Sequence, residues 1–109
     1  MDGIIPVNKP AGITSYDVIR FIKRTFRLKE KIGHAGTLDP LASGVLIICI
    51  GKATRMSTIF MDMEKEYEAK ILLGMITDTD DIKGKVMEQR EVRVSEDDVI
   101  KVIKEFEGE

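Results

Sequence analysis

Apolar residues recur at helical spacing in a segment that begins near Thr14. Val18, Ile22 and Phe26 fall on one face of this segment, as expected for a helix that packs against a core. An acidic residue follows Thr14 by three positions, which is the pattern of a capping box, in which side chains pair with the free backbone groups of the first turn. The sequence therefore predicts a helix from this cap to about Arg27.

The same pattern, a capping residue followed by apolar residues at helical spacing, recurs near residue 95. Ser95 is followed by three acidic residues, and Val99, Ile103 and Phe106 share one helical face. This pattern predicts a final helix with those three side chains on its inner face. Residues 51–63 are rich in methionine and predict a helix between the two.

Three runs predict strands. Residues 3–7 form a short apolar run, and residues 45–50 form a continuous one rich in β-branched side chains, which is typical of a buried central strand. Residues 66–73 alternate, and the members on the apolar side are Tyr67, Ala69, Ile71 and Leu73. Strict alternation predicts a half-buried strand, and a further short strand is expected near Val86.

The remaining segments read as turns and loops. These are residues 9–12, 28–43 and 74–84, in which glycine, proline, threonine and aspartate interrupt the apolar pattern. Strands that alternate with helices predict a mixed α/β or α+β domain. The pattern alone leaves the order of the strands open.

The loop before the central strand concentrates unusual residues. Between Gly33 and Leu46 it holds three glycines, one proline, the only histidine and Asp39. Pro40 fixes its own φ and biases the residue before it away from helix, so the carboxylate is expected on a rigid, bent loop. Reactive groups are often mounted on such loops, and the alternative is an aspartate that caps a turn.

Composition narrows the class of protein. The chain has 109 residues, of which 43% are hydrophobic and 33% charged, as in one soluble globular domain. It contains no apolar run near twenty residues, and its start lacks the basic and apolar regions of a signal peptide. The single cysteine, Cys49, is expected to be buried and reduced in a cytoplasmic protein, and the sequence offers no Cys/His cluster for zinc.

Charge is distributed unevenly although the net charge is only −2. Residues 1–61 carry nine Lys/Arg and four Asp/Glu, and residues 62–109 carry eight and fifteen. The positive charge is densest in a basic stretch made of Arg20, Lys23, Arg24, Arg27, Lys29 and Lys31. Such a stretch can hold phosphates whatever the net charge, and the alternative is a solvated helix face.

Three motifs resemble the TruB-type tRNA pseudouridine synthases. G-H-A-G-T-L-D-P-L-A-S-G-V-L, from Gly33, resembles their active-site motif, and N-K-P-A-G-I-T-S, from Asn8, resembles their K-P-x-G-x-T-S motif. Lys65-Glu66-Tyr67, with Leu73-Gly74 and the run from Thr77 to Gly84, resembles their K-x-Y…L-G…T-D-T-x-D-x-x-G region. The motifs occur in the family's order and spacing and cover most of the chain.

The resemblance implies a fold, a reaction and its participants. The fold is the α+β pseudouridine synthase fold, a mixed, mainly antiparallel sheet with flanking helices. The reaction is the isomerisation of uridine 55 in the T-loop of tRNA, with the T-arm stem-loop as partner. It implies no cofactor, no metal and no membrane, and a monomeric full-length enzyme in the cytoplasm.

The resemblance also assigns roles to individual residues. Asp39 corresponds to the catalytic carboxylate, and Tyr67 to the tyrosine that stacks on the target base, although a tyrosine on an apolar strand face is by default a core residue. His34 corresponds to a histidine that helps hold the extruded RNA loop open, although a lone histidine is more often an unremarkable surface residue. These three residues are the principal predicted site.

Supporting roles are predicted for six further residues. Lys9 is expected to brace the catalytic loop, with a phosphate contact as the alternative. Asp78, Thr79 and Asp81 match the third motif, where turn formation is favoured over substrate contact and the spacing fits no EF-hand loop. Arg24 and Arg27 represent the basic stretch.

In the family, more sequence follows the region that corresponds to Glu109. It includes the rest of the catalytic domain, an arginine-bearing G-x-Y-I-R segment and a C-terminal PUA-type domain. We therefore expect residues 1–109 to be the N-terminal portion of the catalytic domain, truncated and inactive by itself. Two alternatives are a subunit of an H/ACA-type RNA-guided synthase and a non-catalytic module that binds or folds tRNA.

Overall fold

Backbone contacts divide the chain into two units, Met1–Glu66 and Tyr67–Glu109. The computed structural model describes residues 1–108. The first unit contains β1 (Gly3–Lys9), α1 (Ser15–Thr25), β2 (Ile32–Ala35), β3 (Gly44–Ile50), a 3-10 segment (Gly51–Met56) and α2 (Ser57–Met61). The second unit contains β4 (Met75–Thr77), β5 (Val86–Gln89) and α3 (Glu96–Glu105).

The sheet of the first unit is built around β3. Its strand order is β1–β3–β2 and both pairings are antiparallel. β3 pairs along its whole length with β1, so that Lys9 lies opposite Gly44. The prediction of a central strand is confirmed, as is an α+β fold with a mainly antiparallel sheet, and the second unit adds an antiparallel β4–β5 pair.

The core of the first unit lies between α1 and one face of β3. Val18, Ile19 and Ile22 meet the alternate strand residues Leu46, Ile48 and Ile50, and all six are buried. Alternate residues of a strand point to one face, and helix residues three or four apart form one stripe. Cys49 is also fully buried, as predicted, and burial raises the pKa of its thiol.

Both predicted helix starts are confirmed by their hydrogen bonds. Thr14 accepts from the backbone N–H of Asp17, and the Asp17 carboxylate accepts from the backbone N–H of Thr14, each at 2.9 Å. Ser95 and Asp98 form the same reciprocal pair at the start of α3, at 3.2 Å. These boxes satisfy backbone donors that the first helical turn leaves free.

The predicted inner faces are wrong at Phe26 and Phe106, and α3 contains no buried residue, since Ile103 is also 55% exposed. Phe26 is 62% exposed and Phe106 is 84% exposed. Each is the C-terminal cap, where φ is −97° and the helix stops. The 3.6-residue period gives the direction of a side chain only within the helix. The prediction that Phe26 and Phe106 face the core is therefore wrong.

Two strand assignments also differ from the prediction. Residues 28–43 were expected to be loop throughout, but they contain β2, which is stabilised by pairing with β3. Residues 66–73 were expected to be a strand, but they are irregular, and no described segment pairs with them. Alternating polar and apolar residues give a segment one apolar face. A strand also needs an adjacent strand to accept and donate its backbone hydrogen bonds. The short strand near Val86 is confirmed as β5.

The predicted Met-rich helix of residues 51–63 is present in two parts. A 3-10 segment leads into the five-residue helix α2. Gly51 begins the 3-10 segment with φ +65°, a left-handed conformation that favours glycine. The tighter 3-10 geometry accounts for the shortened α-helix.

The capping box of α1 should make the first unit sensitive to acid. The backbone N–H and hydroxyl of Thr14 lower the pKa of the Asp17 carboxyl from its usual 3.8. A carboxyl with a lowered folded-state pKa stabilises the fold above pH 3.8, and this contribution is lost as the pH falls through the folded pKa. In urea titrations followed by circular dichroism, Asp17→Asn should reduce the loss of stability below pH 3.8. An equal acid dependence in the variant and the wild type would contradict this assignment.

Candidate functional site

Asp39 lies exposed on the loop between β2 and β3. Its backbone carbonyl accepts a hydrogen bond from Ala42 N at 2.9 Å, which closes a turn through Pro40. Within residues 1–108 the carboxylate forms no hydrogen bond or ion pair. The main chain therefore holds the turn, and the carboxylate is available to a ligand.

Lys9 is a buried cation beneath this loop. The residue is 0% exposed, and its Nζ donates to the carbonyls of Pro10 at 2.9 Å, Ile13 at 2.7 Å and Pro40 at 3.4 Å. An ammonium group has three donors, and all three are directed at backbone oxygens. Lys9 thereby links the turn after β1 to the residue that follows Asp39.

The loop is also held on the other side of Asp39. Ser15 Oγ accepts from Leu38 N at 3.0 Å and donates to Leu38 O at 3.1 Å. The Leu38 side chain packs against the core, and Gly12 N donates to Pro40 O at 2.6 Å. The residues before and after Asp39 are therefore both fixed by buried or partly buried contacts.

His34 lies in β2, opposite Ile48 of β3, five residues before Asp39. Its side chain is half-buried, and Nδ1 is buried with no hydrogen-bond partner among the described residues. No hydrogen bond at Nδ1 within residues 1–108 therefore fixes the orientation of the ring. The RNA-binding role expected of His34 remains a prediction.

Lys65 connects the end of α2 to the same loop. Its Nζ donates to the carbonyls of Met61 and Met63. Its Cε lies 3.4 Å from where a Cβ on Gly36 would stand, and Gly36 has φ +92°. The left-handed backbone, and not a lack of space, favours glycine at this position, because a Cβ there would make an ordinary van der Waals contact with the lysine.

Tyr67 belongs to the second unit and is 65% exposed. It lies in the irregular segment that the sequence predicted as a strand, so the strand assignment is wrong here and the default interpretation of a core tyrosine does not hold. Its ring is accessible to an aromatic ligand. The predicted stacking role remains a prediction.

Asp78, Thr79 and Asp81 form a hydrogen-bonded loop after β4. Asp78 Oδ1 accepts from Lys85 N at 2.7 Å, Thr79 Oγ1 donates to Asp81 Oδ1 at 2.7 Å, and Lys83 N donates to the same oxygen at 2.9 Å. The Thr79 hydroxyl lowers the pKa of the Asp81 carboxyl. These bonds engage all three side chains in local turn structure, the role that the sequence favoured for them.

The basic stretch is exposed along the outer side of α1 and the turn that follows. Arg20 pairs with Asp17 at 3.3 Å and stacks on the Tyr16 ring, whereas Arg24, Arg27 and Lys29 form no ion pair within residues 1–108. Arg27 has φ +51°, at the position after a helix where glycine is favoured. These free cations can bind anions from solvent.

Sequence reasoning did not identify two features. The first is the pair of hydrogen bonds from Ser15 to Leu38, although the serine stood inside a recognised motif. The second is an apolar groove in the second unit, lined by Ala69, Ile71, Leu73, Val94, Asp98, Val99, Val102 and Ile103. Its one carboxylate, Asp98, is engaged in the capping box of α3. The groove therefore offers no evident chemistry.

Two further kinds of feature, a metal-binding cluster and a membrane-spanning helix, are absent from residues 1–108. No group of three or more His, Cys, Asp and Glu side chains in this range is arranged to hold a metal ion. No helix in the same range is long and apolar enough to cross a bilayer.

Comparisons with known proteins agree on one family. A family model described as TruB family pseudouridylate synthase (N terminal domain) matches residues 23–109. The tRNA pseudouridine synthase B of Clostridium acetobutylicum is 50% identical over 109 residues, which are 100% of this chain and 37% of that protein. The protein of the same name from Clostridium tetani is 49% identical over 110 residues, covering 100% of this chain and 38% of that protein.

Two chains of solved structures are also similar to this chain in fold and sequence. A chain in the structure of an H/ACA RNP bound to a substrate RNA containing 2′-deoxyuridine has a TM-score of 0.64 and 34% identity, covering 97% of this chain and 28% of that chain. A chain in a Cbf5-Nop10-Gar1 complex has a TM-score of 0.63 and 32% identity, covering 97% and 27%. The present chain thus spans less than two fifths of the length of these relatives.

The Lys9 contacts should contribute strongly to stability. Lys9→Met keeps the length of the side chain but leaves the carbonyls of Pro10 and Ile13 without their donor. We expect a loss of about 1–3 kcal/mol, the usual cost of a buried polar group without a partner. Urea unfolding should be compared with that of Lys23→Met, a matched change at an exposed position of α1. Equal stabilities of the two variants would contradict a bracing role.

Proposed function

This chain belongs to the TruB family of pseudouridylate synthases, and we propose that it provides the catalytic aspartate of an enzyme that converts uridine 55 in the T-loop of tRNA to pseudouridine. The environment of Asp39 supports this proposal most strongly. Its carboxylate is exposed and unpaired within residues 1–108, while the residues on either side of it are anchored by Ser15, Lys9 and Gly12. This arrangement presents one unpaired carboxylate to a ligand from a main chain that is held on both sides.

The reaction requires a carboxylate rather than a redox group. The N1–C1′ glycosidic bond of uridine breaks, the same ribose carbon bonds to C5 of uracil, the C5 proton leaves and N1 gains a proton. No atoms or electrons are gained or lost. A carboxylate can act by addition to the nucleoside or by removal of the C2′ proton, and both routes need its ionised form.

Tyr67 and His34 are proposed to hold the target nucleotide. A base inside a folded loop must leave its stack before it can react. Stacking on an aromatic ring replaces part of the interaction that the base gives up and is worth about 1–3 kcal/mol per base. The exposure of the Tyr67 ring supports this role, and His34, five residues before Asp39, is proposed to pack in the space that the base vacates.

The choice of tRNA over a guide-RNA complex rests on sequence similarity. The two curated relatives named tRNA pseudouridine synthase B are 50% and 49% identical to this chain. The chains from the H/ACA RNP and the Cbf5-Nop10-Gar1 complex are 34% and 32% identical. The higher identity favours tRNA as the substrate.

The basic stretch is proposed to contact phosphates of the T-arm. Arg24, Arg27 and Lys29 are exposed and carry no ion pair within the described residues, so no internal partner has to be displaced by RNA. Phosphate contacts fix the position of a protein on RNA and carry no base information. These cations should therefore affect affinity more than the choice of uridine.

The catalytic role of Asp39 is tested by Asp39→Asn in the full-length protein. The substitution is nearly isosteric and removes the charge, so we expect pseudouridine formation to be abolished while binding of a T-arm stem-loop is largely retained. Chemical mapping of pseudouridine measures the first property and filter binding the second. Turnover within a few-fold of the wild type would exclude Asp39 as the catalytic group.

Replacing Arg24, Arg27 and Lys29 together by alanine should weaken RNA binding without changing the modified position. For every phosphate that is no longer neutralised, the slope of log affinity against log salt concentration should fall by about 0.7–0.9. The matched control replaces Lys70, Lys83 and Lys85, three exposed lysines of the acidic half, and changes the net charge equally. Equal salt slopes in both triple variants would assign the basic stretch to a solvated helix face.

A single substitution at Arg27 separates an effect on RNA binding from an effect on stability. Because its φ is +51°, glycine fits this backbone better than arginine. Arg27→Gly should unfold at an equal or higher temperature than the wild type while binding the stem-loop more weakly. Unchanged affinity in this variant would remove Arg27 from the proposed interface.

A further inference from the structure

Two neighbouring hydroxyl groups at the start of α1 perform different tasks. Thr14 Oγ1 accepts from the backbone of Asp17 and caps the helix. Ser15, the first helical residue, directs its hydroxyl away from the helix to Leu38. Ser15 is only 2% exposed, and its hydroxyl both donates and accepts with that one residue.

The Leu38 contact acts directly on the backbone that carries Asp39. The Leu38 carbonyl lies in the same planar peptide unit as the nitrogen of Asp39. Its hydrogen bond to Ser15 fixes the orientation of that plane, and the Leu38 side chain is anchored against the core. On the far side, Pro40 has a restricted φ and its carbonyl is held by Gly12 and Lys9.

We propose that Ser15 is a positioning residue for catalysis, which acts by fixing the Leu38–Asp39 peptide and thereby the direction of the Asp39 carboxylate. The inference rests on the proposed function of Asp39. Ser15 is buried and its hydroxyl both donates to and accepts from Leu38, so it acts through that residue and not by contact with the substrate. Misplacing a reacting group by about 1 Å can reduce a rate by about 100-fold, so the removal of two hydrogen bonds beside Asp39 should be visible in turnover.

The test compares Ser15→Ala with Thr14→Ala in the full-length protein. Ser15→Ala should lower kcat on a T-arm stem-loop by about 10- to 100-fold and leave KM within about threefold, because the RNA-binding surface is unchanged. Thr14→Ala should lower the thermal unfolding temperature, since it removes a helix cap, and should leave kcat near the wild-type value. If Ser15→Ala does not fold, Ser15→Cys fills the same space with a weaker hydrogen-bonding group and replaces it in the comparison.

Amide hydrogen exchange provides a readout that does not depend on activity. Leu38 N–H loses its acceptor in Ser15→Ala and should exchange faster, whereas Thr14→Ala should leave its exchange unchanged. A folded Ser15→Ala variant with kcat within about twofold of the wild type would overturn the inference, as would equal kcat losses in the two variants. Activity of Asp39→Asn in the same assay separates the failures, because it would contradict the proposed function itself whatever Ser15 does.

Discussion

The buried ammonium group of Lys9 connects the parts of the first unit that matter for its candidate site. A buried charge is tolerated only when hydrogen bonds replace its former hydration, and here the carbonyls of Pro10, Ile13 and Pro40 take that place. Two of these carbonyls belong to the turn after β1, and the third belongs to the loop that carries Asp39. One cation therefore contributes both to the conformation of the turn and to the position of the loop.

The loop and the core are stabilised by different interactions. The core is apolar and joins α1 to β3, whereas the loop is held by hydrogen bonds from Lys9, Ser15 and Gly12. These bonds engage the main chain on both sides of Asp39 and leave its carboxylate unpaired within residues 1–108. A carboxylate carried on such a main chain can interact with a ligand without first breaking an internal contact.

Features with a local signal, such as the capping boxes and the apolar runs of β1 and β3, could be predicted, and features marked only by a distant partner could not. The capping boxes at Thr14 and Ser95 lie within four residues, so the starts of α1 and α3 were found. β2 was missed because its pairing with β3 is a long-range contact, and residues 66–73 were assigned as a strand because alternation does not reveal whether a partner exists. Phe26 and Phe106 were placed inward because the helical period continued in sequence after each helix had ended.

In the candidate site, too, some residues could be identified from the sequence and others could not. The motif around Asp39 was recognisable from residue order, and the bracing role expected of Lys9 agrees with its three hydrogen bonds. The contribution of Ser15 was not evident, because a serine beside a capping threonine gives no sign of the residue that it contacts across the fold. Tyr67 was assigned to an apolar face by its spacing, and only the irregular backbone of its segment explains its exposure.

If Asp39 is the catalytic group, the placement of its carboxylate, and not its charge alone, should determine activity. Asp39→Glu separates the two, since it retains the charge and moves the carboxylate by one methylene group. Single-turnover pseudouridine formation should be measured on a T-arm stem-loop with enzyme in excess over RNA. In the full-length protein we expect a rate lower by about 100-fold or more with RNA affinity unchanged, and a rate within a few-fold of the wild type would show that placement is not decisive.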